Sequence, residues 1–466
     1  MSSKQLEPAT DLDEVFSTLS PEPLIDPVEF KAFYRADVNA VRGEDTVARI
    51  ARKLQRAYKG APLKTFLMGH PGVGKSTELT RLLTDVKDQY IGVRLSIEKE
   101  LNPATFKIFD VLLLIMAGVA EEAQKYKAIP AELTSIQRVL AEIQQFFRSE
   151  EAKQTTTRTT GAEVEAGTGA KDGSLWGSLL GLFASMKLSA RYSGERKTVV
   201  TEHQLKNVSE LVETCNRLLD MCSESLLKKT HRELLVIVED LDKTPVSPQQ
   251  LHELFLQYGS VFQALRVSML FTIPVWLAYS PGAERLPLEL AMIHDTPVFN
   301  NKHESHSAGR DAVLNVLKAR VSAKLFAGDQ MEKLVVASGG NLRDLFFMIS
   351  DAAERAGLRS PHSKTIEAVD AQASIAKMRR EYRMKLGQSP YDGAEQIPYS
   401  EKSKRLVEVY NRAPDHDVPD KILYSLLRGR AIQEFNGVGW FGVHPLVVDI
   451  LKEQEHLKPQ DPGGTN

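Results

Sequence analysis

The feature that most constrains the fold of this chain is a glycine-rich loop between two strongly patterned segments. Residues 69–76 read GHPGVGKS and match G-x-x-x-x-G-K-[ST] at every fixed position. A stretch of strand length, Lys64 to Met68, precedes the loop, and a segment with leucine and valine at helical spacing begins at Lys75. A strand, a glycine loop and an amphipathic helix in this order predict an α/β domain with a mostly parallel sheet.

The residue types in the loop predict that it binds a nucleoside triphosphate. Glycines let successive backbone N–H groups curl around a phosphate, and the helix N-terminus adds a partial positive charge. Lys75 is then placed to bridge the outer phosphates, and the Ser76 hydroxyl is a ligand for Mg²⁺. The predicted cofactors are ATP and Mg²⁺, although these residues do not distinguish ATP from GTP. The predicted binding residues are Gly69, His70, Pro71, Gly72, Val73, Gly74, Lys75, Ser76 and Thr77.

An acidic segment follows a second strand-like run. Residues 234–238 are all apolar, and Glu239, Asp240, Leu241 and Asp242 come directly after them. Carboxylates at the end of a buried strand supply the metal-side and water-orienting groups that phosphoryl transfer needs. Two registers are open. In one, Glu239 lies on the metal side through water and Asp240 orients the attacking water; in the other, Asp240 is the metal-side residue.

Two further polar residues are candidates for sensing the γ-phosphate. Thr272 lies near the end of the apolar run Val267 to Ile273, where a polar side chain is placed to point at the phosphate; the alternative is an ordinary β-branched strand residue. Arg343 lies in the first turn of an amphipathic helix. A cation there opposes the helix dipole, so it is expected to have either a bound phosphate or an acidic side chain as a partner.

Taken together, these segments resemble P-loop ATPases of the AAA+/STAND type, with the nearest likeness to the origin-recognition-like and KAP-like branches. The resemblance is carried by the phosphate loop, VIVEDLDK at 236–243, Thr272 and SGGNLRDL at 338–345. The segment VRGED at 41–45 resembles the adenine-side box of those families, which implies a nucleotide contact for Arg42. The resemblance also implies five parallel strands, ATP hydrolysis and a helical lid that carries Arg343. An arginine from a neighbouring subunit of a homo-oligomer is implied as well, with Arg285, Arg310 and Arg320 as candidates.

The predicted organisation has six parts. Residues 1–40 are an irregular lead-in, 41–295 the ATPase core with an insertion at about 149–200, 296–375 a helical lid, 376–400 a linker, 401–455 a winged-helix domain and 456–466 a flexible tail. The insertion is predicted from its threonine- and glycine-rich composition. The winged helix is predicted from two helices followed by two short strands around an Asn-Gly step at 436–437. A further helix is expected from Leu205 to Leu226, with Cys215 and Cys222 as inert buried thiols.

Composition narrows the class of function. Lys plus Arg is 59 and Asp plus Glu is 61, for a formal net charge of −2, which excludes a uniformly basic nucleic-acid-binding surface. Two cysteines fit a reducing compartment, and no apolar run approaches the roughly 20 residues of a transmembrane helix, so the expected location is the cytoplasm. The candidate recognition helix offers only Lys421 and Arg428. The basic stretch 377–385 is expected to be a solvated helix face, with a supporting contact to DNA as the alternative.

Three hypotheses about function follow. The favoured one is a regulatory ATPase, a nucleotide-driven switch that acts on a partner protein in bacterial defence or signalling. No nuclease, protease or TIR-like motif stands out, which motivates a separate partner. The second is a DNA-acting AAA+ ATPase, a loader or transposition regulator that binds DNA through the winged helix. The third is a binding module without ATPase activity.

Overall fold

A computed structural model describes residues 6–128, 139, 142, 208–243, 246–387, 396–435 and 440–457. At its centre lies a five-stranded sheet in the order β2–β3–β4–β1–β5, in which every neighbouring pair is parallel. The chain therefore has the predicted α/β fold. The strands of the sheet are β1 Lys64–Met68, β2 Tyr90–Ser96, β3 Glu233–Glu239, β4 Ser268–Ile273 and β5 Glu289–Met292.

The central strands are mainly apolar because both faces of the sheet are covered. On one face Phe66 and Phe271 pack edge to face with Phe255, with ring centroids 4.7 and 5.4 Å away from it. Leu67 and Leu270, each one position away in sequence, belong to the core on the other face. The alternation of side chains along a strand thus divides the interior into two layers.

The described helices cover both faces of the sheet and continue beyond it. Their α-helical ranges are Val15–Thr18, Pro27–Phe33, Asp37–Val41, Thr46–Ala57, Lys75–Asp85, Ile97–Glu100, Ile108–Lys125, Val208–Thr230, Pro248–Leu251, Gly259–Ala264, Ser307–Lys318, Gln330–Ala337, Leu342–Arg359, Ala368–Leu386, Tyr399–Asn411, Lys421–Arg428 and Pro445–Glu453. Short 3₁₀ helices occupy Val275–Tyr279, Ala283–Arg285 and Ala323–Leu325, and a π-helix occupies His252–Gln257. We call Leu342–Arg359 the lid helix. No helix in these described ranges has the length and hydrophobicity needed to cross a lipid bilayer.

The lead-in contains three short helices, which differs from the expected irregular segment. The second of them begins at Pro27, and the Asp26 side chain caps it by accepting from the N–H groups of Val28 and Glu29. Proline at the first helical position after an aspartate is a local start signal, so this helix was visible in the sequence. Further upstream, Ala9 forms an isolated parallel bridge with Val321, which ties the lead-in to the body.

The sequence of residues 312–326 predicts a helix there, but the structure places the helix at Ser307–Lys318, so the prediction is wrong at both ends. Beyond it, the Ala9 N–H donates to the carbonyl of Arg320, and the Ser322 N–H donates to the carbonyl of Ala9. The backbone after the helix is therefore bonded to the lead-in and cannot continue the helical pattern.

The helix Ala368–Leu386 runs without a break across the predicted boundary between lid and linker at 375/376. Three of the five cations in its basic stretch pair with acids. Lys377 lies 2.6 Å from Asp351, and Arg379 and Arg383 lie 2.5 and 2.7 Å from Glu453. These three cationic side chains are 30–52% exposed, so they lie on a solvated face of the helix, as predicted, and such surface pairs contribute little stability.

Residues 396–457, which we call the C-terminal module, contain the predicted helices and strands. Helices Tyr399–Asn411 and Lys421–Arg428 precede an antiparallel hairpin, β6 Ile432–Phe435 and β7 Trp440–Val443, and a last helix follows. The predicted order of elements is confirmed, while the assignment as a winged helix stays a prediction. The turn residues 436–439 and the insertion at about 149–200 lie outside the described residues. Within the predicted tail, Leu457 is buried.

The long helix predicted from Leu205 spans Val208–Thr230. Cys215 and Cys222 lie on its buried face as free thiols, and burial raises the pKa of both to about 12. Because the thiolate is the reactive form, these two residues are inert core residues, as predicted.

Candidate nucleotide-binding site

The phosphate loop joins β1 to the helix Lys75–Asp85. Gly72 and Gly74 have φ angles of +90° and +101°, a region that is costly for a residue with a Cβ atom. Gly74 is the N-cap of the helix, and no side chain among the described residues caps it. The N–H groups of the first turn therefore face an anion site together with the positive end of the helix dipole.

The Lys75 ammonium group is held at the mouth of this loop. Its side chain is 6% exposed, and Nζ lies 2.8 Å from Oδ2 of Asp242. Nζ also donates to the carbonyls of Gly69, at 2.7 Å, and His70, at 3.1 Å. Asp242 belongs to the acidic segment after β3 and is, with Glu239 and Asp240, one of the three carboxylates that the sequence offers for the metal side of the loop. The structure makes it the carboxylate that pairs with the phosphate-loop lysine.

A cavity of about 290 Å³ opens beside the loop. Its volume is near the lower end of the roughly 300–1,000 Å³ that is usual for small-molecule sites. It is lined by the loop from Pro71 onward together with Thr77, Asp240, Asp242 and Arg343, and also by Leu24, Phe33, Val38, Val316, Arg320 and Phe346. The polar groups of the lining suit phosphates, and its apolar side chains suit a flat ring.

Glu239 and Asp240 have different surroundings. Glu239 is buried and pairs with Arg94, with Nε 2.6 Å from Oε1, and Arg94 also donates to the backbone carbonyl of Ser76 at 3.3 Å. Glu239 does not line the cavity, whereas Asp240 and Asp242 do. Of the three carboxylates in the acidic segment, Asp240 and Asp242 are thus the two that line the cavity.

Thr272 supports Asp240 from the neighbouring strand. Its hydroxyl accepts a hydrogen bond from the Asp240 N–H at 3.1 Å, and its side chain is buried away from the cavity. The expectation that Thr272 points at a γ-phosphate is therefore not met. Asp240 has a φ of +72°, and Ser96 donates to its carboxylate while Lys243 lies 3.1 Å from it. These partners hold a strained backbone position at the strand end.

The start of the lid helix packs directly on the phosphate loop. Asn341 caps this helix by accepting from the Asp344 N–H, and its Nδ2 donates to the carbonyl of Pro71 at 2.9 Å. A Cβ atom on Gly72 would lie 2.3 Å from Oδ1 of Asn341 and 2.7 Å from Cβ of Arg343. Glycine at position 72 is thus required both by the φ angle and by this close approach.

Arg343 lines the cavity in the first turn of the lid helix. The expected partner of this cation was either a bound phosphate or an acidic side chain. No carboxylate in the described part of the chain lies within ion-pair distance of it. The neighbouring Asp344 instead pairs with Arg430 of the C-terminal module, at 3.0 Å. The guanidinium of Arg343 is therefore free to meet a phosphate.

Arg42, assigned to the adenine side by resemblance, lies behind the loop. It is 2% exposed, and it donates to the carbonyl of Val73 at 2.8 Å and to the hydroxyl of Thr296 at 3.0 Å. Burial lowers its pKa. Arg42 also reaches the cavity wall, and its hydrogen bonds show that it braces the loop.

His70 and Asp295 form a buried polar pair under the loop. Nε2 of His70 lies 3.8 Å from Oδ2 of Asp295, which is beyond hydrogen-bond distance. Burial, reinforced by Arg430 and Lys75, lowers the pKa of His70 to about 3. Burial raises the pKa of Asp295 to about 6, although nearby cations oppose the shift. His70 is thus a neutral member of the loop and not a cation for phosphate.

The three arginines proposed to act on a neighbouring subunit differ in exposure. The Arg285 side chain is exposed, and its one ion pair among the described residues is with Glu284. Arg310 donates to the carbonyl of Val298, at 2.9 Å, and lies over the ring of Phe299. Arg320 is 6% exposed and lines this chain's own cavity. The structure therefore excludes Arg320 as a residue that reaches another subunit from this conformation.

The residues present suit a magnesium ion that is bound together with phosphates. Among the described residues, no group of three or more His, Cys, Asp or Glu side chains forms a preformed metal site. Mg²⁺ commonly takes only one or two carboxylates and fills its other positions with water and phosphate oxygens. Ser76, Asp240 and Asp242 line the same cavity and supply oxygen ligands of this kind.

Comparisons with known proteins give structural likeness only. No protein-family model matches the chain, and no curated protein matches it significantly. Cdc6p from Pyrobaculum aerophilum is 12% identical, with a TM-score of 0.39 over 94% of this chain and 98% of that one. A Walker-type ATPase of Pyrococcus abyssi is 11% identical, with a TM-score of 0.43 over 93% and 99%. The ORC1 protein of Aeropyrum pernix, solved in complex with DNA, is 11% identical, with a TM-score of 0.36 over 88% and 92%.

Proposed function

We propose that this chain binds and hydrolyses ATP with Mg²⁺ and uses the nucleotide cycle to regulate a partner protein. One observation carries the proposal. The carbonyl of Pro71, on the phosphate loop, accepts hydrogen bonds from Asn341 of the lid helix at 2.9 Å and from Arg430 of the C-terminal module at 3.3 Å. The loop that would hold the triphosphate is therefore in direct contact with two other parts of the molecule.

The polar groups of the site account for phosphate binding. The helix start after Gly74 is uncapped, so its N–H groups can bind a phosphate. The Lys75 ammonium group now contacts Asp242 and loop carbonyls, and it would exchange its ion pair with Asp242 for one with the phosphate. Arg343 supplies a second cation without a carboxylate partner among the described residues. Ser76 and the carboxylates after β3 would hold Mg²⁺, which neutralises charge on the phosphates.

Turnover is assigned to Asp240. Its backbone is fixed by Thr272 and its carboxylate lies at the cavity wall, so it is positioned to orient an attacking water. Asp242 holds Lys75 in place. Glu239 is neutralised by Arg94 outside the cavity, so we give it a supporting role.

The lid helix provides the coupling between site and module. Its first turn presents Arg343 to the cavity and Asp344 to Arg430, so a single helical turn contacts both the nucleotide site and the C-terminal module. The Tyr382 hydroxyl donates to Asp344 at 2.7 Å, and the Arg430 guanidinium lies 5.7 Å from the Tyr382 ring centroid. A shift of this turn toward bound phosphate would change the Arg430 contacts, which is how nucleotide state would reach the C-terminal module.

The DNA-acting alternative has less support. In the candidate recognition helix, Tyr424 packs on Trp276 of the core with ring centroids 5.0 Å apart, and Arg428 lies 5.6 Å from the same ring. The helix would have to leave the core before it could enter a groove. In the basic stretch at 377–385, the other candidate contact, three of the five cations already pair with acids.

The proposal is tested by phosphate release with ATP and Mg²⁺, alongside calorimetry. Wild type is expected to release phosphate, Lys75→Ala to lose nucleotide affinity, and Asp240→Ala to bind ATP without turnover. Equal release by wild type and Lys75→Ala would contradict the catalytic assignment. Mass photometry with and without ATP reports the assembly state, and a gel-shift titration with DNA tests the alternative, which predicts ATP-dependent, salt-sensitive binding.

A further inference from the structure

A second cavity, of about 140 Å³, is lined by residues of both the phosphate loop and the C-terminal module. His70 and Pro71 are its loop residues, and residues 427–430 are its residues from the module. Lys75, Ser76 and the glycines of the loop line the nucleotide cavity and not this one, whereas Arg343 lines both. The second cavity therefore adjoins the nucleotide site without including the helix start that would hold the triphosphate.

The lining of this second cavity is strongly cationic. Five of its side chains are lysine or arginine, namely Lys243, Arg343, Lys385, Arg428 and Arg430. Its one carboxylate, Asp242, already pairs with Lys75 at 2.8 Å. A small cavity whose walls carry mainly one sign of charge concentrates ions of the opposite sign, so this cavity favours an anion.

Two of the five cations are without a partner. In the described part of the chain, neither Arg343, which is exposed, nor Lys385, which is half-buried, forms an ion pair or a hydrogen bond. The Lys385 ammonium lies 4.8 Å from the ring centroid of Tyr382, and the Arg430 guanidinium carbon lies 5.7 Å from the same centroid. Burial and Arg430 lower the pKa of Lys385 to about 8, although nearby carboxylates oppose the shift. An anion beside these cations would relieve both the repulsion and the desolvation.

We propose that the second cavity binds one inorganic phosphate ion, held by Arg343, Lys385 and Arg430. Ammonium and guanidinium groups form charge-assisted hydrogen bonds with phosphate oxygens. The cavity is well below the roughly 300–1,000 Å³ that is usual for organic ligands, so it suits a small ion and excludes a whole nucleotide.

The three cations belong to three different parts of the molecule. Arg343 lies on the lid helix, Lys385 on the helix Ala368–Leu386 and Arg430 in the C-terminal module. A phosphate ion bound by all three would fasten the module to the lid. The site itself goes beyond the proposed function and does not depend on it; if the chain hydrolyses ATP, the ion is a product of its own reaction.

The test is calorimetry of the full chain, free of nucleotide, with sodium phosphate and separately with ATP and Mg²⁺. Wild type is expected to bind one phosphate ion saturably at millimolar concentration. Lys385→Met should weaken phosphate binding about tenfold or more and leave the affinity for ATP unchanged. The matched control is Lys377→Met on the same helix. Lys377 also lies over an aromatic ring, 5.0 Å from the centroid of Phe347, but it pairs with Asp351 and lines neither cavity, so this change should leave both affinities unaltered.

A second pair of variants separates the two cavities. Lys75→Met together with Asp242→Asn removes the loop lysine without leaving its carboxylate unpaired. This double variant should lose affinity for ATP and bind phosphate at least as tightly as wild type. Arg343→Met should weaken both ligands, because Arg343 lines both cavities.

Wild type that shows no saturable binding of phosphate would overturn the inference, and this arm needs no variant to fold. Equal loss of phosphate binding in Lys385→Met and Lys377→Met would overturn it too. So would loss of phosphate binding in the Lys75→Met, Asp242→Asn variant, because the ion would then lie on the phosphate loop, and the proposed function would still stand. Phosphate binding by a wild type that binds no ATP would support the second site and refute the proposed function alone.

Discussion

Replacing Arg430 with methionine should release the C-terminal module from the phosphate loop. Arg430 pairs with Asp344 at 3.0 Å, and the two side chains are 13% and 4% exposed. It also donates to the carbonyl of Pro71 and lies over Tyr382. Methionine keeps most of the packing volume, so the change removes the ion pair and the hydrogen bond to Pro71 with little loss of packing.

The size of the effect follows from the burial of Asp344. Removing one partner of a buried ion pair costs about 3–5 kcal/mol, because the other charge is left without compensation. Burial alone would raise the pKa of Asp344, but Arg430 and other neighbours lower it below its usual value. At about 1.4 kcal/mol per factor of ten, local opening should become roughly a hundredfold to several thousandfold more frequent.

Hydrogen exchange measured by mass spectrometry is the assay, because it reports local opening segment by segment. Peptides that cover β6 and the helix Lys421–Arg428 should exchange faster in Arg430→Met, whereas peptides that cover β1 should not. The matched control is Asp344→Asn together with Arg430→Met. This pair of changes leaves neither charge of the ion pair, and the amide introduced at position 344 keeps an acceptor for the Tyr382 hydroxyl. The double variant should recover at least half of the lost protection.

Unchanged exchange of β6 in Arg430→Met would refute the reasoning, because the Arg430–Asp344 pair would then not stabilise the contact between the C-terminal module and the core. The reasoning would also be contradicted if the double variant lost as much protection from exchange as Arg430→Met and Asp344→Asn lose together when each is measured alone. If ATP alters exchange of the C-terminal module in wild type, that response should be lost in Arg430→Met. Its persistence would mean that the coupling takes another route.

Three other predictions concern the loop and its surroundings. Gly72→Ala should weaken ATP binding far more than Gly74→Ala, since both positions have positive φ but only a Cβ at 72 meets the lid helix; calorimetry on both variants checks this. Asp240→Asn should bind ATP and lose about a hundredfold or more in turnover, while Glu239→Gln should lose less than about tenfold, as measured by phosphate release. A larger loss in Glu239→Gln than in Asp240→Asn would mean that the catalytic carboxylate is Glu239, one residue earlier. The pKa of Asp295 is raised to about 6, so the contribution of this carboxyl group to stability falls as pH rises from 4 to 6, whereas buried His70, whose pKa is about 3, contributes the opposite change; denaturation at pH 5 and 7.5 should therefore show that raising the pH favours the folded state more in Asp295→Asn than in wild type.

The sequence determined the features whose chemistry is local. The phosphate loop lies within eight consecutive residues, and its conformation depends on glycines inside that stretch, so both the motif and its strand and helix could be predicted. The apolar runs that became β1, β3 and β4 were visible for the same reason, because a strand buried on both faces is continuously apolar. The hairpin β6–β7 was marked by the composition of its turn.

Only the tertiary structure decided which distant residues meet. Asp242 pairs with Lys75 and Thr272 bonds to the backbone of Asp240, because strand register, which single-residue patterns do not encode, brings them together. Arg320 proved to be buried in its own cavity because the lead-in folds back over it. Arg430 reaches Pro71 across 359 positions of sequence. Such contacts depend on how whole elements pack, and packing sums many weak interactions that no short segment carries by itself.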